Sequence, residues 1–213
     1  MRIFLGITGA SGAVYGAHAL RALSAAGCEV ALCASPAGAQ VVAHELLGLG
    51  PRPTIGADAV VTRLLDAYAH GPGPVEAIDP RDIAGRDASG SSGPQAVLVA
   101  PCSMSSLATI AHGTGDNLIH RAADVALKER RRLVLVVRET PLSPVHLENM
   151  LAVTRAGAIV LPAAPGFYHL PATVEELVDF VVARALDHLG VEHELSRRWR
   201  GERPAGALSE DRP

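Results

Sequence analysis

Short apolar runs of strand length recur along the chain: Ile3–Thr8, Val30–Cys33, Ala96–Ala100, Leu133–Val137 and Ala158–Leu161. They are nearly continuous in Val, Leu, Ile and Ala rather than alternating with polar residues, as strands buried on both faces are. Helical spacing fills the intervals at Val14–Ala26, Ala37–Leu47, Leu118–Arg130 and Val145–Ala156. A last helical pattern, Val174–Leu189, carries Leu177, Val178, Val181 and Leu186 as its apolar positions. Strands alternating with helices predict an α/β fold with a mostly parallel sheet covered on both faces. Residues 48–93 break the rhythm. They are rich in Pro, Gly, Asp and Ser and hold one short helical pattern, Ala59–Tyr68, so the expectation is an excursion beside the sheet, partly a loop. The reading is one domain over residues 1–190 and a C-terminal tail over 191–213, loose or draped on a neighbour from Ser196 onward.

Composition narrows the class. The chain has 213 residues, 48% hydrophobic and 19% charged, which describes a globular protein rather than a disordered one. Its net charge of −3 and 3% aromatic content argue against nucleic-acid binding by a basic surface or a stacking platform. No apolar run approaches the ~18 residues of a membrane span, and no basic leader precedes the first strand. Cys28, Cys33 and Cys102 form no C-x-x-C zinc motif and read as reduced thiols, so a cytoplasmic setting is expected. Mean hydropathy is +0.23. That reflects either apolar helix faces buried between subunits or an Ala-rich composition alone.

Candidate chemistry gathers where strands end, because ligands of open α/β sheets bind outside the carboxyl ends. After the first strand comes Gly6-Ile-Thr-Gly9-Ala10-Ser11-Gly12-Ala13. Small residues there let backbone N–H groups and a helix N-terminus approach a phosphate; a turn needed only for tight strand–helix packing is the equal alternative. The spacing is not G-x-G-x-x-G, and the second strand ends Cys33-Ala34-Ser35-Pro36 without a ribose-binding carboxylate, so a mononucleotide is favoured over NAD. The strand Ala96–Ala100 runs into a polar turn, Pro101-Cys102-Ser103-Met104-Ser105-Ser106, whose hydroxyls suit a ring or a phosphate. Cys102 reads there as a small packed residue rather than a nucleophile. Ser89-Gly-Ser-Ser92-Gly93 has the composition of a flexible loop or lid.

On the helical pattern from Leu118, Arg121 and Lys128 are seven apart and share a face, with Asp124 between them. Arg138-Glu139 terminates an apolar strand, a costly place for two charges unless they pair or meet a ligand. Arg138 suits a phosphate and Glu139 a proton transfer. The loop after the last strand gathers Phe167, Tyr168 and His169, and a desolvated ring face there stabilises positive charge by ~1–2 kcal/mol.

Taken together, Thr8-Gly-Ala-Ser-Gly-Ala-x-Tyr15-Gly16, Ser89-Gly-Ser-Ser92, Pro101-Cys-Ser103, Arg121-Ala-Ala-Asp-Val-x-Leu-Lys-Glu-Arg130, Arg138-Glu-Thr-Pro141, His146-Leu-x-Asn-Met150 and Pro165-x-Phe-Tyr168 resemble the flavin prenyltransferase (UbiX) family. That family falls within the homo-oligomeric flavin-containing Cys decarboxylases. The resemblance runs from Thr8 to about Leu189. It implies a Rossmann-like three-layer sandwich that binds reduced FMN. The implied reaction is metal-independent and joins the dimethylallyl group of dimethylallyl monophosphate to N5 and C6 of the flavin. The prenylated FMN would then serve a UbiD-type decarboxylase. By the same likeness Gly9, Ala10, Ser11, Ser35, Ser103, Met104, Ser105, Ser106 and Arg138 would hold FMN. Tyr168 and Arg184 would hold the prenyl phosphate, with Arg121 and Lys128 lent by neighbouring subunits of a dodecamer. Glu139, Ser11 and Lys128 would be catalytic. Some relatives carry Trp before the Ser-rich loop; this chain has Arg81-Asp82-Ile83 there and its one Trp at Trp199. The alternatives are an FMN-dependent decarboxylase of the Cys-decarboxylase type and a non-catalytic FMN-binding regulator.

Overall fold

The computed structural model describes residues 1–196; the tail beyond Ser196, Trp199 included, lies outside the described residues. The strands β1 (Arg2–Ile7), β2 (Glu29–Ala34), β3 (Val75–Ala77), β4 (Ala96–Cys102), β5 (Arg132–Val137) and β6 (Ile159–Pro162) form one sheet in the order β3-β2-β1-β4-β5-β6. Every pairing is parallel, for example Leu5 with Leu32 and Leu5 with Leu98. The helices are α1 (Ala13–Ala25), α2 (Pro36–Glu45), α3 (Ala57–Tyr68), α4 (Met104–His112), α5 (Leu118–Lys128), α6 (Pro144–Ala156) and α7 (Val174–Leu189). The expected mostly parallel sheet is thus wholly parallel, in three layers.

Alternate side chains of each central strand enter opposite cores. Ile3, Leu5 and Ile7 face α1, α2, α3 and α7, while Phe4, Val97 and Val99 face α4, α5 and α6. This double burial is the reason the strands read as continuous apolar runs. Helices press closely on the sheet. A Cβ on Gly16 of α1 would lie 2.5 Å from the Ala100 carbonyl oxygen, and one on Gly38 of α2 would lie 2.3 Å from that of Ile7. Only glycine permits such approaches.

Two expectations need correction. The 48–93 segment is not simply beside the sheet: Val75–Ala77 pairs with β2 and forms its edge, and α3 buries Val60 and Leu64 in the first core. Three residues have no readable period, so this strand left no signal. The polar turn after β4 shrinks to Ser103, because Met104–His112 is a helix. Its buried Met104, Leu107 and Ile110 recur every third residue, but serines fill the first turn and mask the pattern.

At the amino-terminal rim, Arg2 is 5% exposed and grips Asp87, itself 3% exposed. Nε donates to Oδ1 at 2.9 Å and Nη2 to Oδ2 at 2.7 Å, and Glu29 also pairs with the guanidinium. This fork ties β1 to the short turn Arg86–Ala88 that leads into the Ser-rich loop. Removing one partner of a buried ion pair strands the other charge, at about 3–5 kcal/mol. Asp87→Ala should therefore lower the melting temperature by on the order of 10 °C in a calorimetric scan; a shift under about 2 °C would remove the pair from the forces holding the fold.

Candidate active site

The carboxyl ends of β1, β2, β4 and β5 meet at one rim, across the switch point between β1 and β4. Helices α2 and α4 begin there, and serines cap both. The Ser35 hydroxyl accepts from the Gly38 N–H at 3.0 Å and the Ser103 hydroxyl from the Ser106 N–H at 3.2 Å. Ser103 also donates to the Ser106 hydroxyl at 3.2 Å. Ser105 is exposed at this helix start and Ser106 nearly buried. The Met104 side chain lies in the core, so its backbone is what it offers a ligand. Gly9 and Ser11 are exposed between these turns, and Ala10 is buried.

Arg138 crosses the rim. From the end of β5 its Nε donates to the Ser11 carbonyl at 2.9 Å, joining β5 to the loop after β1. Tyr15, half-buried in the first turn of α1, is close enough to feel this charge: burial pushes its phenol up and Arg138 pulls it back. Glu139 is exposed beside Arg138, and its Oε1 accepts from the Thr140 N–H at 3.0 Å. The two strand-end charges therefore have separate partners instead of each other.

One member of the rim had no reading in the sequence. Glu45, in the last turn of α2, accepts from the N–H groups of Gly12 and Ala13 with Oε2, each at 2.9 Å. The start of α1, read equally as a phosphate cradle or a tight packing turn, thus holds a carboxylate of the chain itself. Burial pushes the Glu45 carboxyl up, but the Ser11 hydroxyl, the two amides and nearby Arg138 outweigh it and leave it below its usual range. A carboxylate at a helix C-terminus opposes the dipole of its own helix, which was the available local sign that Glu45 has another task. The rim thus accommodates negative charge, but these two amides are already taken by Glu45, which leaves Arg138 and the starts of α2 and α4 for a phosphate-bearing flavin.

The remaining cations are dispersed. Arg184 lies on α7 and pairs with Asp187 at 2.7 Å. It stands one turn after Phe180, on which the Tyr168 ring rests edge-on at 5.6 Å. Tyr168 is 51% exposed and Phe167 66%. Arg121 and Lys128 lie on α5, across the sheet from α7. Arg121 pairs with Asp124 at 2.7 Å, and Lys128 pairs with the adjacent Glu129. Lys128 ends α5 just before β5 begins, so the length of that strand, roughly 20 Å, separates it from Glu139 within one chain. The Ser-rich loop sits with Lys128, not with Ser103: a Cβ on Gly90 would lie 2.9 Å from Lys128 Nζ, and Arg131 donates to the carbonyls of Gly90 and Pro94. Cys102 is fully buried and burial pushes its thiol up to about 12, which suits a packed residue and no nucleophile.

Comparison with known proteins matches this geometry to a family. The profile described as Flavoprotein covers residues 1–186. The flavin prenyltransferase UbiX of Methanothermobacter thermautotrophicus is 46% identical over 200 residues, 94% of this chain and 96% of the relative. That of Pseudomonas aeruginosa is 48% identical over 198 residues, 93% of each. Among solved structures, AnUbiX (PadA1) in complex with FMN and dimethylallyl pyrophosphate superposes with a TM-score of 0.80 at 40% identity, over 94% of this chain and 98% of that one. A dodecameric FMN-dependent UbiX-like decarboxylase from Escherichia coli O157:H7 gives 0.80 at 42%, over 94% and 100%. The peptidyl-cysteine decarboxylase EpiD, at 16% identity and 0.57, over 88% of this chain and 97% of that one, shares the fold alone. With its sheet, its rim and nearly its whole length in common with these relatives, the chain belongs to the flavoprotein family and, within it, to the UbiX flavin prenyltransferases.

Proposed function

We propose that this protein transfers a dimethylallyl group from dimethylallyl monophosphate to reduced FMN without a metal, and that a UbiD-type decarboxylase receives the prenylated product. The observation that carries the reading is Arg138 reaching from the end of β5 to the Ser11 carbonyl. It joins the loop after β1 to the strand end that carries Glu139, on the same rim as the two serine-capped helix starts.

Gly9, Ala10, Ser11, Ser35, the residues from Ser103 to Ser106 and Arg138 would hold FMN. When bound, the reduced flavin supplies electron-rich N5 and C6 to the allylic carbons. Lys128, Arg121 and Arg184 would stabilise the phosphate as its bond to the allyl carbon breaks. The ring of Tyr168, backed by Phe180, would cover the allyl cation and keep water from it. Glu139 would take the proton that leaves C6 as the second bond forms.

Arg184 and the pair Arg121 and Lys128 lie on opposite layers of one protomer, so a working set would draw on more than one copy of the chain. Helix α6 offers a surface for such assembly: Val145, Leu147 and Leu151 are 61%, 53% and 50% exposed, although apolar, and Leu142 just before it is 41% exposed. A dodecamer would cover this face.

Anaerobic incubation with reduced FMN and either dimethylallyl monophosphate or the diphosphate should yield a flavin heavier by one prenyl unit, faster with the monophosphate and unchanged by EDTA; an unaltered flavin mass with both substrates counts against the whole reading. Glu139→Gln should keep FMN and still release phosphate, while the final flavin spectrum develops about 10²–10⁴ times more slowly; wild-type kinetics in that variant would take Glu139 out of the reaction. A double change, Leu147→Glu with Leu151→Glu, should shift the protein to smaller species in light scattering, keep its circular dichroism and abolish turnover. Small species that still turn over would place every required cation within one protomer.

A further inference from the structure

Thr8 lies between the two turns that carry the proposed FMN serines and has not entered the chemistry so far. It is 1% exposed, directly after β1 and directly before Gly9. Its hydroxyl donates to the Pro101 carbonyl at 2.8 Å and accepts from the Ser103 N–H at 2.8 Å. Its own N–H also donates to the Pro101 carbonyl, at 3.2 Å. Ser103 in turn caps α4 and bonds Ser106.

The location matters because the regular pairing of β1 with β4 ends just before it. The last paired residues are Gly6 and Val99, and the register of β4 against β5 shifts between Val99 and Cys102. Beyond that point one backbone bond, from the Thr8 N–H to the Pro101 carbonyl, still joins the strand ends, and the loop after β1 and the start of α4 must keep a fixed separation to hold one ligand between them. The Thr8 hydroxyl adds two short bonds to that one, the first buried and the second half-buried. The hydroxyl uses one donor and one acceptor site, a combination that valine of the same shape lacks.

We propose that Thr8 is a positioning residue. Through Ser103 it sets the spacing between the Gly9–Ser11 loop and the Ser103–Ser106 helix start, and so the fit of both to FMN. This rests on the FMN reading above, and the experiment separates the two.

FMN binding is followed by flavin fluorescence for wild type, Thr8→Val, Thr8→Ser and, as a control, Thr109→Val, which removes another hydroxyl from α4 on its exposed side. Wild type, Thr8→Ser and Thr109→Val should bind alike within about twofold, and Thr8→Val should bind on the order of 10-fold more weakly, since its half-buried Ser103 N–H loses its partner. Circular dichroism and gel filtration establish that each variant is folded. A purely structural role would lower the melting temperature of Thr8→Val yet leave FMN affinity of the folded protein at the wild-type value, and that result overturns the proposal. Wild type that fails to bind FMN overturns the function reading instead. Where Thr8→Val does not fold, amide hydrogen exchange on wild type decides: the Ser103 amide should be protected without FMN and more strongly protected with it, and exchange at the rate of an unfolded chain refutes the role of Thr8.

Discussion

A parallel sheet buried on both faces confines polar chemistry to its rims. Within the layers, the central strands pair on both sides, and their apolar side chains pack into one core or the other. Only where strands give way to helices do donors become free, and there the N-termini of α1, α2 and α4 add their dipoles. Ser35, Ser103, Ser11 and Arg138 all belong to this one edge. Their chemistry follows from topology before any ligand is considered.

The same constraint decided what was legible. Long elements with a clear period, such as α1, α7 and the four central strands, lie within a residue or two of their reading in the sequence. What escaped was either too short to have a period, as with Val75–Ala77, or masked by serines, as with Met104–His112. The candidate site divides along similar lines. Residues adjacent in sequence to a strand end were visible, because a polar residue after an apolar run stands out. Glu45 was not, since it reaches the start of α1 from over thirty residues away and its helix reads as an ordinary amphipathic one. Thr8 looked like part of a small-residue motif; that its hydroxyl bridges two turns is a matter of tertiary structure.

Glu45 changes how the loop after β1 is understood. The small residues were readable as a phosphate seat or as tight packing, and the structure shows both tendencies: glycine-enabled contact between helix and sheet, and amides that hold an anion. That anion is the chain's own carboxylate. A phosphate approaching this edge therefore meets negative charge at α1, and the serine-capped starts of α2 and α4, with Arg138, are better placed to receive it. The carboxylate in turn fixes the loop from which Ser11 projects.

The thiols sealed inside the two cores have a practical corollary. Cys28, Cys33 and Cys102 are free and at most 5% exposed, and burial pushes all three thiols up, Cys33 and Cys102 to about 12. Since only thiolates attack alkylating reagents, the folded molecule should react slowly with them at neutral pH. Cys33 and Cys102 lie on central strands, where exposure demands the largest openings. Their alkylation rate therefore reports how often the strands that hold them open, readable on the native chain without any engineered label.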